Sequence, residues 1–176
     1  MTELYGTPRR RWRPEINGEV AVIPLTQGRF AQVDVDDLPL IAPFAWRLHR
    51  GPHTAYAATA CGRRAIYMHR LIQAAPAGVD VDHIDRDGLN NRRGNHRLCS
   101  RAENSRRRAS TAGATPFKGA ALHRASGLYH ATIVVGGRQL SLGYHLTPEA
   151  AARAYDEGAL KHFGEFALTN KELGLL

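Results

Sequence analysis

Apolar residues in the first seventy positions come in short runs rich in β-forming residues, and this pattern restricts the fold more than any other feature of the chain. The clearest runs are Val20–Ile23, Phe30–Val35 and Ala65–Met68. Glycine and proline residues separate the runs and are typical of turns. The pattern therefore predicts short antiparallel strands in the first part of the chain.

The C-terminal third has a different pattern, that of a hairpin followed by a helix. Leu128–Val135 and Arg138–Leu142 flank a Gly-Gly pair, which favours a two-residue hairpin turn. Thr147–Glu149 is typical of a helix start, with Thr as the N-cap, Pro at the first helical position and an acid in the first turn. Gly164 is expected to end this helix. A stripe of small and aromatic residues is predicted to pack against the sheet: Ala152, Tyr155, Ala159 and Phe163.

Positive charge is concentrated between these two patterns. The 176 residues include 24 Lys and Arg against 16 Asp and Glu, a formal charge of +8, so a polyanion is the expected partner. One acid, Glu103, stands in the most basic stretch beside seven arginines, namely Arg92, Arg93, Arg97, Arg101, Arg106, Arg107 and Arg108. The small and polar residues that follow, 109–116, are typical of a linker.

Composition excludes two other classes of protein. The longest apolar stretch, Leu38–Trp46, contains two prolines and is shorter than the ~18 residues that would span a bilayer. The first fourteen residues carry four arginines and no apolar run, so no secretory signal is expected and the protein is predicted to be cytoplasmic. Cys61 and Cys99 are too few for a disulfide framework or a structural zinc site.

A cluster of polar residues carries the chemistry. Val81–His83 is predicted to end a strand and His96–Cys99 to form the next, before a short helix that contains Asn104. Asp82 and Asn104 are hard oxygen donors suited to one Mg²⁺-type ion that keeps several waters. His83 has an unperturbed pKa of ~6.5, which suits a general base. A base for water and a metal for the developing charge are the parts that phosphodiester hydrolysis requires.

The spacing of these residues resembles that of a known family. Asp82-His83, with Asn95 twelve residues after the histidine and Asn104 nine further on, is similar to the HNH endonucleases of phages and mobile introns. Tyr67–Ile72 and the asparagine-rich loop before Asn95 extend the similarity to roughly residues 23–108. The resemblance implies a ββα-metal (His-Me finger) fold on an antiparallel β scaffold.

The resemblance also implies a role for each residue of the set. His83 would be the general base, Asp82 and Asn104 the metal ligands, and Asn95 the residue that hydrogen-bonds the loop and holds His83 in position. Asn104 replaces the histidine that gives the family its name, as in the homing-endonuclease branch. Mg²⁺ is the expected ion, with Mn²⁺ as the alternative.

The C-terminal segment resembles a second family. The similarity runs from Lys118-Gly119 through the hairpin and the alanine-rich helix to Gly164–Ala167 and Asn170. These motifs are similar to those of the APETALA or ethylene-response-factor DNA-binding domain. The resemblance implies a three-stranded sheet packed on one helix, with Arg124 and Arg138 facing DNA and Lys118 on the DNA backbone.

Together these observations predict an α+β protein of two modules. The expected segments are a basic tail (1–18), a nuclease domain (19–108), a linker (109–116), a DNA-binding domain (117–170) and a short tail (171–176). The expected function is metal-dependent endonucleolytic hydrolysis of double-stranded DNA by a monomer, in a bacterial or phage-infected cell. The seven arginines listed above are expected to contact phosphates, positioning the duplex without reading bases.

Two alternatives remain open from the residues. A DNA-binding regulator or decayed nuclease without catalysis would carry the same basic patch and second module, and only the complete set of Asp82, His83, Asn95 and Asn104 favours the enzyme. An RNA-binding protein is a third class, which the sequence does not support because no exposed aromatic pair stands out on a predicted sheet.

Overall fold

Short antiparallel strands form the N-terminal part of the chain. The computed structural model describes residues 12–51, 54–62, 64–106 and 115–176. Two three-stranded sheets have the orders β1-β2-β3 and β4-β5-β6, and β7 and β8 form a separate hairpin. Two short helices, α1 and α2, follow β3 and β6. The bounds are β1 Glu15–Asn17, β2 Val20–Pro24, β3 Phe30–Asp34, α1 Leu38–Ile41, β4 Arg47–Arg50, β5 Ala55–Cys61, β6 Arg64–Tyr67, α2 Met68–Ile72, β7 Asp80–His83 and β8 His96–Cys99.

The three apolar runs of the sequence are confirmed as β2, β3 and the region of β6 and α2. The run Ala65–Met68 is split, because Met68 already begins α2. Strand β5 was not predicted, because it consists largely of alanines, yet it lies between β4 and β6. Its side chains at Ala57, Ala58 and Thr59 are buried, so its strand conformation comes from sheet pairing and not from intrinsic propensity.

The apolar core of this part of the chain is built from alternate residues of the strands. In β2 and β3, every second side chain is buried, which is the period-2 pattern of a half-buried sheet. Both tryptophans belong to this core and have their indole N–H groups satisfied. Trp12 Nε1 donates to the carbonyl of Phe44 at 2.8 Å, and Trp46 Nε1 donates to that of Ile41 at 3.0 Å.

The loop between β7 and β8 is attached to this scaffold by backbone hydrogen bonds. Gln32 donates from its N–H to the carbonyl of Leu89 at 2.9 Å and accepts from the N–H of Asn91 at 2.7 Å. Gly88 allows the close approach: a Cβ there would lie 2.4 Å from the carbonyl oxygen of Ala55. The first sheet therefore fixes the loop that joins the two strands of the hairpin.

The C-terminal part forms a further three-stranded sheet, which is covered by one long helix. Strands β9 (Ala120–His123), β10 (Leu128–Val135) and β11 (Arg138–His145) are antiparallel in the order β11-β10-β9. Helix α4 (Pro148–Phe163) is capped by Thr147, whose hydroxyl accepts from the N–H of Ala150 at 3.1 Å. The predicted apolar stripe is confirmed, since Ala152, Tyr155 and Ala159 are buried and Phe163 packs against the same cluster.

A buried polar network fastens the C-terminal end of the chain to this sheet and helix. Asn170 is fully buried and exchanges hydrogen bonds with the backbone of Lys118, accepting at 2.7 Å and donating at 3.0 Å. Its backbone N–H also donates to Asp156 Oδ1 at 2.7 Å, and the N–H of Lys171 donates to Asp156 Oδ2 at 3.0 Å. The Asn170 position therefore closes the second module.

Contacts divide the chain into two compact units, residues 1–101 and 102–176, here called the first and second units. Helix α3 (Arg101–Arg106) lies at this division, and residues 109–114 of the expected linker lie outside the described residues. The end of α3 has contacts within the second unit. Lys118 Nζ donates to the carbonyl of Arg106 at 2.5 Å, and the Arg106 guanidinium lies 4.6 Å from the centre of the Phe163 ring. Within the described residues, no helix is long and apolar enough to cross a membrane.

Candidate active site

The candidate site lies on the hairpin of β7 and β8. The two strands are antiparallel, with Asp82 opposite Arg97 and His83 opposite His96. Both Asp82 and His83 are buried, at 7% and 6% exposure. The predicted order of strand, loop, strand and helix is present in the chain, because α3 begins two residues after β8 ends.

Asp82 is paired with the arginine on the facing strand. Arg97 donates from Nε at 2.9 Å and from Nη2 at 2.8 Å, both to Asp82 Oδ2. The two side chains are only 8% and 13% exposed, for Asp82 and Arg97 respectively. The interaction is thus a buried, charge-assisted ion pair and not a solvent-screened surface contact.

His83 lies in a cluster of buried rings. Its ring centre is 4.8 Å from that of His96 and 4.9 Å from that of His69, both edge-on, and 6.0 Å from that of Tyr56. Its Nε2 is buried and has no hydrogen-bond partner among the described residues. His69 belongs to the stretch Tyr67–Ile72 that forms part of the family resemblance, whereas nothing in the neighbourhood of Tyr56 resembles a motif.

Burial keeps all three histidines of this cluster neutral. Desolvation lowers the pKa of His83 to about 4, although the charges of Asp85 and Asp87 oppose the shift. Desolvation likewise lowers the pKa of His69 to about 3 and that of His96 to about 4, and in both cases the neighbouring His83 lowers it further. At neutral pH the His83 imidazole is therefore able to accept a proton.

Asn95 closes the loop that follows His83. Its carbonyl accepts from the N–H of Ile84 at 2.8 Å, and its side-chain oxygen accepts from the N–H of Asp85 at 3.0 Å. Its amide nitrogen donates to Asp85 Oδ1 at 2.8 Å and to the carbonyl of Asn90 at 2.9 Å. Burial raises the pKa of Asp85, but the N–H of Asp87 and the amides of Asn90 and Asn95 outweigh it and hold the pKa below its usual range. The loop therefore presents an ionised carboxylate beside His83.

Besides Arg97, two more of the arginines predicted to contact phosphate are ion-paired within the first unit. Arg92 Nε donates to Asp34 Oδ1 at 2.8 Å, and Arg93 Nη2 donates to Asp37 Oδ1 at 2.6 Å. These carboxylates partly neutralise the charges of Arg92 and Arg93. Arg101 is exposed on α3, while Arg107 and Arg108 lie outside the described residues.

The donor set fits one kind of metal ion. Across residues 12–51, 54–62, 64–106 and 115–176, no group of three or more His, Cys, Asp or Glu side chains is arranged to hold a metal. Asp82, a buried carboxylate of the first unit, is a hard oxygen donor, and the amide of Asn104 on α3, which belongs to the second unit, is another. Hard oxygen donors of this kind suit a cation that retains most of its waters, as Mg²⁺ does, and do not suit a zinc cage.

The second unit presents an exposed sheet surface. Arg124 and Arg138 are exposed on or beside its strands, and Lys118 contacts Arg106 as described above. Tyr144 is half exposed and stacks on His130, with ring centres 4.3 Å apart and planes 8° apart. This histidine–tyrosine pair joins register partners on the two strands of one hairpin.

Comparison with known proteins identifies relatives of the chain. A family model described as HNH endonuclease matches residues 67–106, the stretch from the end of β6 to the end of α3. An uncharacterized HNH endonuclease of Acanthamoeba polyphaga mimivirus is 30% identical over 151 residues, covering 82% of this chain and 76% of that protein. The chain belongs to the HNH endonuclease family. The family implies a ββα-metal fold, with which the mixed α/β structure and its small antiparallel sheets agree.

A second similarity concerns part of this HNH endonuclease chain. An AP2-like ethylene-responsive transcription factor of Arabidopsis thaliana is 41% identical over 66 residues, which is 32% of this chain and 22% of the plant protein. The chain spans about a fifth of that relative. The relation of the second unit to this domain type stays a prediction.

Proposed function

We propose that this HNH endonuclease hydrolyses phosphodiester bonds in double-stranded DNA, with His83 as the general base. The observation that supports this most strongly is a neutral, buried imidazole on the same hairpin as a buried carboxylate, with the following loop braced by Asn95. A general base has to be deprotonated before the reaction begins, and the lowered pKa of His83 satisfies this requirement at neutral pH.

The residues of the hairpin have different roles in the proposed reaction. His83 accepts a proton from the attacking water through Nδ1, since Nε2 is buried. Asn95 positions His83 by holding Ile84 and Asp85, which follow it directly. Asp85, kept ionised by its three hydrogen-bond donors, stabilises the imidazolium that forms. A divalent ion, Mg²⁺ or Mn²⁺, held by Asp82 and Asn104 would supply positive charge opposite the phosphate and the leaving 3′ oxygen.

Duplex DNA is proposed to be held by both units. In the first, Arg101 is exposed, and Arg92, Arg93 and Arg97 would contact phosphates only by leaving or sharing their carboxylate partners. In the second, Arg124 and Arg138 are exposed beside a sheet, which suits contact with the DNA backbone. Arg106, Arg107, Arg108 and Lys118 join the two groups in sequence.

Plasmid cleavage tests this proposal against the non-catalytic alternative. Supercoiled plasmid is incubated with the full chain in Mg²⁺, in Mn²⁺ and in EDTA, and DNA binding is measured in parallel by electrophoretic mobility. We expect nicked or linear DNA in either metal and none in EDTA, with ends that DNA ligase rejoins because they carry 5′ phosphates. Asp82→Asn, which removes the carboxylate charge with little change in shape, is expected to abolish cleavage and to retain binding. Binding by the wild type without cleavage in either metal would favour a regulator or a decayed nuclease.

A further inference from the structure

Arg97 occupies Oδ2, one of the two carboxylate oxygens with which Asp82 could bind a cation. A carboxylate oxygen has two lone pairs, and Oδ2 receives two N–H groups of the same guanidinium, at 2.9 and 2.8 Å. Coordination of an ion at 2.0–2.1 Å, the distance that Mg²⁺ demands, is not compatible with both of these hydrogen bonds. Binding of a divalent ion through Oδ2 therefore requires the guanidinium to move.

The position of Arg97 makes this pairing a built feature of the hairpin. Arg97 is directly opposite Asp82 in the β7/β8 register, so the backbone brings the two side chains together. The Arg97 side chain is only 13% exposed. By contrast, Arg92 and Arg93 pair with Asp34 and Asp37, which belong to β3 and the turn after it.

We propose that Arg97 is an internal competitor for the metal ion, which keeps Asp82 weakly accessible to divalent cations until DNA is bound. A phosphate of the duplex offers the released guanidinium a new partner of matching geometry, because arginine pairs with phosphate as readily as with a carboxylate. The ion then gains the carboxylate and the guanidinium gains the phosphate. Metal binding and DNA binding are thereby coupled, and each strengthens the other. This inference rests on the proposed function, since it takes Asp82 as a metal ligand.

Mn²⁺ binding to the full chain, without DNA, tests the competition directly. Free Mn²⁺ is measured by electron paramagnetic resonance for the wild type, Arg97→Gln, Arg97→Lys and the control Arg47→Gln, an exposed change on β4. We expect Arg97→Gln to bind Mn²⁺ at least 10-fold more tightly than the wild type, because the resident positive charge is gone. Arg97→Lys keeps the charge and is expected to bind Mn²⁺ within about threefold of the wild type, as is Arg47→Gln. Equal affinities for the wild type and Arg97→Gln would overturn the inference.

The coupling to DNA is tested in a background that cannot cleave. With His83→Ala, a short duplex is expected to tighten Mn²⁺ binding at least 10-fold, and the same duplex is expected to have little effect when Arg97→Gln is added. A duplex effect of equal size in both backgrounds would contradict the exchange of partners.

Arg97→Gln leaves a buried carboxylate without its ion-pair partner, so this variant could fail to fold. A measurement on the wild-type protein then tests the inference. The Arg97 Nε–H resonance is identified by its loss in Arg97→Lys and followed by NMR during titration with diamagnetic Mg²⁺ and duplex. A shift of this resonance that requires Mg²⁺ and DNA together supports the exchange, and an unmoved resonance overturns it.

The Asp82→Asn variant distinguishes a failure of the metal assignment from a failure of the role of Arg97. If the wild type and Asp82→Asn bind Mn²⁺ equally, Asp82 is not a ligand, and both the metal assignment and the inference fall. If Asp82→Asn loses Mn²⁺ binding but Arg97→Gln matches the wild type, only the role of Arg97 is refuted.

Discussion

The three buried histidines of the first unit are expected to make its stability depend on pH. In the folded protein the pKa of His69 is about 3 and that of His83 about 4, whereas a histidine in the unfolded chain has a pKa near ~6.5. Above pH 6.5 these side chains are neutral in both states, and their full contribution to stability is present. As pH falls below 6.5 the unfolded chain takes up protons that the folded unit excludes, so the free energy of unfolding decreases until the folded pKa values are reached.

The size of this effect follows from the three shifts, because the pKa of His96 is also lowered to about 4. Between pH 8 and 5.5, protonation of the unfolded chain lowers the free energy of unfolding by about 1.4 kcal/mol for each such histidine. His69, His83 and His96 together are thus expected to cost about 4 kcal/mol, which lowers the melting temperature of a unit of this size by about 15 °C or more. Carboxylates do not interfere in this window, because their unfolded pKa values lie near ~4.

Tryptophan fluorescence provides the assay, because Trp12 and Trp46 are both buried in the first unit and the sequence contains two tryptophans in all. Urea denaturation followed by this signal at pH 8, 7, 6.5, 6 and 5.5 gives the number of protons taken up on unfolding. His69→Leu is expected to reduce that number by about one, whereas His162→Gln, an exposed change in the second unit, is expected to leave it unchanged. Equal stability of the wild type at pH 8 and 5.5 would refute the assignment of these histidines as buried and neutral.

Three further outcomes concern the second unit and DNA affinity. Gly119→Ala places a Cβ 1.8 Å from Tyr155 Cδ2 and is expected to destabilise the unit by about 3 kcal/mol or more in hydrogen-exchange measurements on α4. Gly127→Ala, also at positive φ but with open space around it, is expected to cost about 1 kcal/mol in the same measurements. Asn170→Ala leaves buried partners unsatisfied and should cost about 1–3 kcal/mol by the same measurement, while the exposed Lys171→Ala, which keeps its backbone hydrogen bond to Asp156, should be close to neutral. Six phosphate contacts predict that the logarithm of the DNA-binding constant in EDTA falls with the logarithm of the salt concentration with a slope of about −5 to −6. The double variant Arg124→Gln/Arg138→Gln is expected to reduce the size of this slope by about 2. Arg92→Gln is expected to reduce it by less than about 1, because Arg92 is already paired with Asp34. The opposite ranking within any of these pairs would contradict the corresponding contact.

Local signals in the sequence were sufficient for the elements that carry strong chemical rules. The Gly-Gly hairpin, the Thr147 cap and the apolar stripe of α4 each depend on residues close in sequence, and each is present in the structure. The hairpin that carries Asp82 and His83 was predicted for the same reason.

Contacts between distant residues could not be predicted in this way. The alanine-rich β5 is a strand only because β4 and β6 pair with it. Arg97 meets Asp82 through the hairpin register, although their sequence positions gave no sign of an ion pair. The ring cluster around His83 likewise combines residues from β5, α2, β7 and β8, and the burial that lowers the pKa of His83 exists only after these elements pack.

The rate of DNA cleavage by His83→Ala tests the central claim most directly. The measurement is single-turnover cleavage of supercoiled plasmid at pH 7.5 in saturating Mg²⁺, with folding checked by tryptophan fluorescence and DNA affinity measured in EDTA. Removal of a general base typically costs a factor of about 10²–10⁴ in rate. We expect a loss within this range at unchanged DNA affinity, and no loss for the exposed His162→Gln. Cleavage by folded His83→Ala at the wild-type rate would contradict the account.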